Sequence, residues 1–196
     1  SLLSLIYWKN WRNKMEKTVI AYYTGTGNTL ELAKRIKGAE LVDIIKINEG
    51  NATLDDDITR LGIFFPVYMG GVPYPVREFI SNTLNGRDNS SLQYVFSLIT
   101  CGSGGKNAEW MLDRSLQDIG IGLSYTLSIR YPDSYLPLVS KVPDENKTKE
   151  ILSKAEEKIQ KAIENMKNEY TILIIAHRLS TIINADRILY LDNGKI

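Results

Sequence analysis

Between Lys17 and Lys167, short runs of unbroken apolar sequence alternate with stretches whose apolar residues recur every three or four positions. Such alternation predicts a doubly wound α/β domain, a parallel sheet with helices on both faces. The runs Thr18–Tyr23, Leu41–Ile47, Leu61–Val67, Tyr94–Thr100 and Leu123–Ile129 predict five strands. They are apolar throughout rather than at alternate positions, so burial on both faces is expected. Leu30, Ala33 and Ile36 form a first helical stripe, with Gly38 placed to close it. Val76, Phe79, Ile80 and Leu84 form a second. Ala108, Met111, Leu112, Leu116 and Ile119 form a third, with Asn107 as the expected N-cap, Gly120 as the terminator and Trp110 at the edge of the stripe, read as core. The last helix is expected from about Pro143 to Lys167. It carries Ile151, Ala155, Ile159, Ala162 and Met166 on one side and Lys154, Glu157, Lys158, Lys161 and Glu164 on a solvated face.

Composition narrows the class. The chain has 196 residues, 43% hydrophobic and 24% charged, an ordinary globular balance, and a chain of that length buries roughly 70% of its unfolded surface. One cysteine, Cys101, excludes an intramolecular disulfide framework and any multi-cysteine metal site; it reads as a small buried hydrophobe in an intracellular, cytoplasmic chain. With 24 basic and 23 acidic residues there is no nucleic-acid footprint. The lone histidine, His177, excludes histidine-rich metal sites and most hydrolytic triads. Leu2, Leu3, Leu5, Ile6, Tyr7 and Trp8 open the chain, followed by Lys9, Arg12 and Lys14. That stretch falls short of the about 20 apolar residues of a membrane span. Its positive residues follow the apolar ones, the reverse of a secretory signal. Residues 1–14 are therefore read as an extension, with Met15 a candidate start.

The chemistry concentrates in one loop. The first strand runs into Thr24-Gly25-Thr26-Gly27-Asn28-Thr29 and then a helix, an arrangement that gathers unpaired N–H groups around an anion. No lysine or arginine lies within it, so it is not the lysine-bearing loop of nucleoside-triphosphate enzymes. Gly105-Lys106 fails the same pattern, with Thr100 in place of the leading glycine and Asn107 in place of Ser or Thr. Leu30 occupies the third glycine of a dinucleotide fingerprint. A monophosphate fits what is left.

Thr24 to Thr29 resembles the phosphate loop of flavodoxins. Pro66-Val67-Tyr68-Met69-Gly70-Gly71-Val72-Pro73 after the third strand and Thr100-Cys101-Gly102-Ser103-Gly104-Gly105 after the fourth fall where that family places its two flavin-ring loops. Arg130-Tyr131-Pro132-Asp133-Ser134-Tyr135 is similar to a segment of flavodoxin domains that precede a ferredoxin domain. The resemblance spans about residues 15–168. It implies a flavodoxin-like three-layer sandwich of strand order 2-1-3-4-5 that binds flavin mononucleotide (FMN) and carries electrons. Thr24, Gly25, Thr26, Gly27, Asn28 and Thr29 would hold phosphate. Pro66, Val67, Tyr68, Met69, Gly70 and Gly71, with Thr100, Cys101, Gly102, Ser103, Gly104 and Gly105, would hold the ring. Tyr68 is either a stacking platform or a packing residue. No catalytic acid or base is implied, and the implied partners are redox proteins such as a ferredoxin or a reductase. The alternative within the fold is an FMN-dependent NAD(P)H:quinone-type reductase; a flavin-free interaction module is a further one.

Three features depart from that family. Residues 15–168 carry net charge −2, whereas flavodoxins are strongly acidic, so a less negative reduction potential is expected. No cysteine-rich ferredoxin segment follows. Residues 170–196, with Ala176-His177-Arg178-Leu179-Ser180-Thr181 and Leu191-Asp192-Asn193-Gly194, resemble the switch-histidine region of ABC-transporter ATPase domains. The expected domains are 1–14, 15–168 and 169–196, the last an ABC-ATPase-like fragment joined to the flavodoxin-like part. His177, lacking a phosphate-loop lysine and a magnesium ligand upstream, is assigned no catalytic role. An ABC-transporter fragment is the competing reading from another class.

Overall fold

The computed structural model describes residues 17–132 and 144–168. The extension at 1–14, Met15, Asp133–Tyr135 and the 169–196 segment with His177 lie outside the described residues. The sheet belongs to one compact unit, Glu16–Met166.

Five parallel strands, β1 (Thr18–Tyr22), β2 (Glu40–Asp43), β3 (Arg60–Pro66), β4 (Tyr94–Cys101) and β5 (Tyr125–Arg130), stand in the order β2-β1-β3-β4-β5. The expected 2-1-3-4-5 sheet is therefore present. Strand order reverses between β1 and β3, so the loops leaving these two strands part to opposite sides and open a crevice at their carboxyl ends.

Alternation along the central strands feeds two cores. Val19, Ala21, Leu61, Ile63, Phe65 and Ile99 pack with α2 (Ile44–Asn48), α3 (Tyr74–Glu78) and α4 (Lys106–Gln117), through residues such as Ile47, Val76 and Leu112. Ile20, Phe64, Phe96, Leu98 and Ile129 face α1 (Asn28–Ala33) and α5 (Glu145–Asn168), through Leu32, Ala155, Ile159 and Ala162. Gly62 lets the Phe96 ring approach: a Cβ there would stand 3.0 Å from its Cζ. The edge strand β5 is only half-buried along most of its length, unlike the fully covered β4.

Several local readings need correction. The apolar run Leu41–Ile47 is not one strand. Asp43 ends β2 and accepts a hydrogen bond from Ile45 N at 2.9 Å, capping α2 in the middle of the run. The first helix stops at Ala33, where Arg35 N and Ile36 N bond three residues back to Leu32 O and Ala33 O, tightening the turn before Gly38 (φ 82°). Asn107 is not the N-cap of α4; that position belongs to Gly105. Trp110 is 65% exposed rather than core, because the buried stripe of α4 runs through Ala108, Leu112 and Leu116. After α3 the chain continues as a π-helical stretch, Phe79–Leu84, in which Asn85 N reaches Ile80 O. No helix among the described residues is long and apolar enough to cross a membrane.

Candidate functional site

The loop after β1 folds on itself. Tyr23 N bonds Phe64 O at 2.9 Å, continuing the ladder one residue past the strand. Thr24 Oγ1 accepts from Gly27 N at 3.0 Å, and Gly27 takes φ 92°, a conformation that favours glycine. No side chain caps α1, whose helical bonding starts with Glu31 N to Gly27 O at 3.0 Å. The first-turn N–H groups thus face the loop without a side-chain cap. At six residues the helix has a small dipole, so the donors this loop could offer an anion are these N–H groups and the exposed Thr26.

Thr29 behaves differently from its neighbours. It is 1% exposed, and its Oγ1 lies 3.0 Å from Oγ1 of Thr100, itself 3% exposed. This buried hydroxyl pair pins the start of α1 to the end of β4. Its hydroxyl therefore joins the first and third loops.

The second loop leaves β3 through Pro66 and Val67, whose N–H bonds Thr100 O at 2.8 Å. Tyr68 and Gly71 exchange backbone bonds of 3.2 and 2.9 Å around Met69 (φ 49°) and Gly70 (φ 78°), a turn with positive φ at both central residues. Met69 pays a conformational cost there and is 88% exposed. Tyr68 is 44% exposed and sits edge-on to Tyr23, centroids 5.8 Å apart. Its hydroxyl lies against Gly25, where any Cβ would collide with it. Partial burial, then the Tyr23 hydroxyl, raises the Tyr68 phenol above its usual range. Tyr68 thus packs on the first loop and keeps one part of its ring open to solvent.

The third loop begins at Thr100 and Cys101. The Cys101 thiol is buried and points to Ile129 O at 3.7 Å; burial first, and then the Glu109 carboxylate, push it up. Gly102 is half-buried and its carbonyl accepts from Arg130 Nε at 2.9 Å. Ser103 and Gly104 are exposed. Gly105 packs so closely on Ser128 that a Cβ would overlap it, while Ser128 donates to Glu109.

Three further residues shape the site. Tyr23 supports Tyr68, Asn107 donates from Nδ2 to Gly70 O at 2.8 Å, and Met111 lies under Gly71, 3.0 Å from where a Cβ would be. None has a sequence signal as a site residue, because each acts through contacts between separate elements. The three loops are therefore tied together: Tyr68 to Gly25, Thr29 to Thr100, Val67 to Thr100. None of their candidate residues carries a formal charge at neutral pH. That donor set suits a monoester phosphate and a flat polar ring, and it does not suit a triphosphate, which needs cations. Volume points elsewhere. A cavity of about 640 Å³ lies at the amino ends of β4 and β5, walled by residues such as Arg87, Gln93 and Ile121, away from the crevice the topology favours.

No protein-family model matches the chain. Among curated proteins, a 44-residue stretch is 54% identical to the ATP-dependent lipid A-core flippase of Saccharophagus degradans and 52% identical to that of Haemophilus influenzae, covering 22% of this chain. The chain spans 8% of the length of these relatives. Among solved structures, similar ones include a flavoprotein described as putative from Bacteroides uniformis (19% identity, 59% of this chain and 90% of that one, TM-score 0.47). Another is the two-electron reduced flavodoxin of Megasphaera elsdenii (21%, 71% and 98%, 0.42). An archaeal flavodoxin is also similar (12%, 74% and 97%, 0.40). With its five parallel strands ordered 2-1-3-4-5 and helices on both faces, the chain has the flavodoxin-like α/β fold.

Proposed function

We propose that the chain binds FMN in the crevice between the three loops and works as an electron-transfer flavoprotein. One observation carries the reading: three uncharged, glycine-rich loops are bound to one another at the carboxyl ends of β1, β3 and β4, flanking the switch point. Backbone N–H groups from Gly25 to Asn28, with the Thr24 and Thr26 hydroxyls, would hold the phosphate. Gly70, Gly71, Gly102 and Gly104 would present backbone to the ring edge, where no Cβ stands in the way, and Tyr68 would flank it. FMN supplies one- and two-electron chemistry when bound. Around it this chain contributes orientation and three loops without charged side chains, backed by the Arg130 guanidinium on the Gly102 carbonyl, and no side chain in the three loops is placed as a general acid or base. A redox protein is the expected partner, in the cytoplasm.

The flippase-like stretch leads to no ATPase proposal, since the phosphate-facing loop lacks a lysine, and His177 is again given no catalytic role. Fluorescence titration of the full chain tests the reading. FMN emission is expected to quench at one equivalent, while riboflavin, lacking the phosphate, binds far more weakly. ATP binding in place of FMN would overturn it. Steady NADPH oxidation by the flavin-loaded chain would move the assignment from carrier to reductase.

A further inference from the structure

The third loop is held by two opposite charges. At one point the Arg130 guanidinium, at the end of β5, donates from Nε to Gly102 O at 2.9 Å. At the other, the Glu109 carboxylate in the first turn of α4 accepts from the Ser128 hydroxyl, and Ser128 packs against Gly105 so closely that a Cβ there would overlap it. One charge thus works on the start of the loop and the other on its end.

Both reach the backbone that would meet a ring. Gly102 C=O and Ser103 N–H belong to one peptide group, so a guanidinium on the oxygen polarises that group and makes its N–H a stronger donor. Ser103 and Gly104, between the two charges in sequence, are exposed. The opposed fields are felt inside the loop: burial first, and then Glu109, push the Cys101 thiol up, while Lys158 and Arg130 pull it down.

A flavin ring that takes up two electrons and one proton passes from neutral to singly negative. A cation behind the Gly102 peptide favours that reduced form, and an anion behind Gly105 disfavours it. With an effective dielectric of about 20, a unit charge within about 12 Å shifts such an equilibrium about tenfold.

We propose that Arg130 and Glu109 are opposed positioning residues of the ring site. The guanidinium, through the Gly102–Ser103 peptide, strengthens binding of reduced FMN relative to oxidised FMN, and the carboxylate behind Ser128 weakens it. The inference rests on the reading of the crevice as an FMN site. It adds to that reading a built-in setting of the potential by two side chains outside the three loops.

The test is the two-electron midpoint potential of the full chain loaded with FMN, at low ionic strength, against a dye of known potential. Arg130→Met is expected to lower the ratio of reduced to oxidised affinity about tenfold, a fall of about 30 mV. Glu109→Gln, which keeps an acceptor for the Ser128 hydroxyl, is expected to raise it, and both shifts should shrink in about 1 M salt. The potential reads a ratio of affinities, so damage to the loop that weakens both redox states equally leaves it unmoved. Shifts of the same sign, no shift in either variant, or a variant that no longer binds oxidised FMN would each overturn the proposal. A parent chain that does not bind FMN would overturn the flavin reading itself, and the proposal with it.

Discussion

The Thr29–Thr100 pair offers a sharp energetic test of how the loops are held. The two hydroxyls are 1% and 3% exposed and 3.0 Å apart. Replacing one by valine keeps the branched shape but leaves the other hydroxyl buried without its partner, which costs about 1–3 kcal/mol. Replacing both removes the orphan as well as the bond, so the double variant should be nearly as stable as the parent. Urea unfolding of the parent, Thr29→Val, Thr100→Val and the double variant measures the four corners of the cycle, with unchanged m-values as the check on two-state behaviour. In thermal melts, with roughly 2–4 °C per kcal/mol for a chain of this length, each single variant should fall by about 2–12 °C. Single variants within about 0.5 kcal/mol of the parent, the scatter of ordinary surface changes, or a double variant showing the sum of the two losses, would refute the pin.

Other outcomes follow from neighbouring contacts. Gly105→Ala should lose about 1–3 kcal/mol in the same urea assay, since its methyl would overlap Ser128, and Ser128→Gly in the same chain should recover part of it. Met69→Gly should gain up to about 1 kcal/mol, because φ 49° suits glycine better; a loss would show the turn is held another way. Cys101 should resist a disulfide reagent at pH 8 in the native state and react at once in denaturant, its thiol being buried and shifted upward. Glu150 should titrate near 2 by NMR instead of the ordinary 4.5. Its contribution to stability is present above 4.5 and fades as pH falls toward 2, and Lys147→Met with Lys154→Met should bring its titration back up.

The sheet was legible because burial on two faces writes continuous apolar runs. Boundaries failed where a polar residue acted locally. Asp43 looks like an interruption in an apolar strand, yet its carboxylate caps a helix, turning Ile44 and Ile47 from strand residues into helix residues of the same core. Trp110 failed for a geometric reason: it lies off the Ala108, Leu112, Leu116 line by enough of a turn to face solvent. The three loops could be read from their glycines and from their place after strands. What tied them together could not. Thr29 finds Thr100 only once β4 stands opposite the start of α1, and Tyr68 finds Gly25 and Tyr23 only once β1 and β3 are neighbours.

Binding of a flavin monophosphate at the three loops is tested most directly by titrating FMN with the full chain and reading the stoichiometry, with Gly25→Val as the partner experiment. Quenching that ends at one equivalent for the parent, and weakened binding for the variant whose side chain displaces Tyr68, is the expected result. FMN emission unchanged at saturating protein, or a variant that binds as tightly as the parent, would contradict the assignment of the crevice.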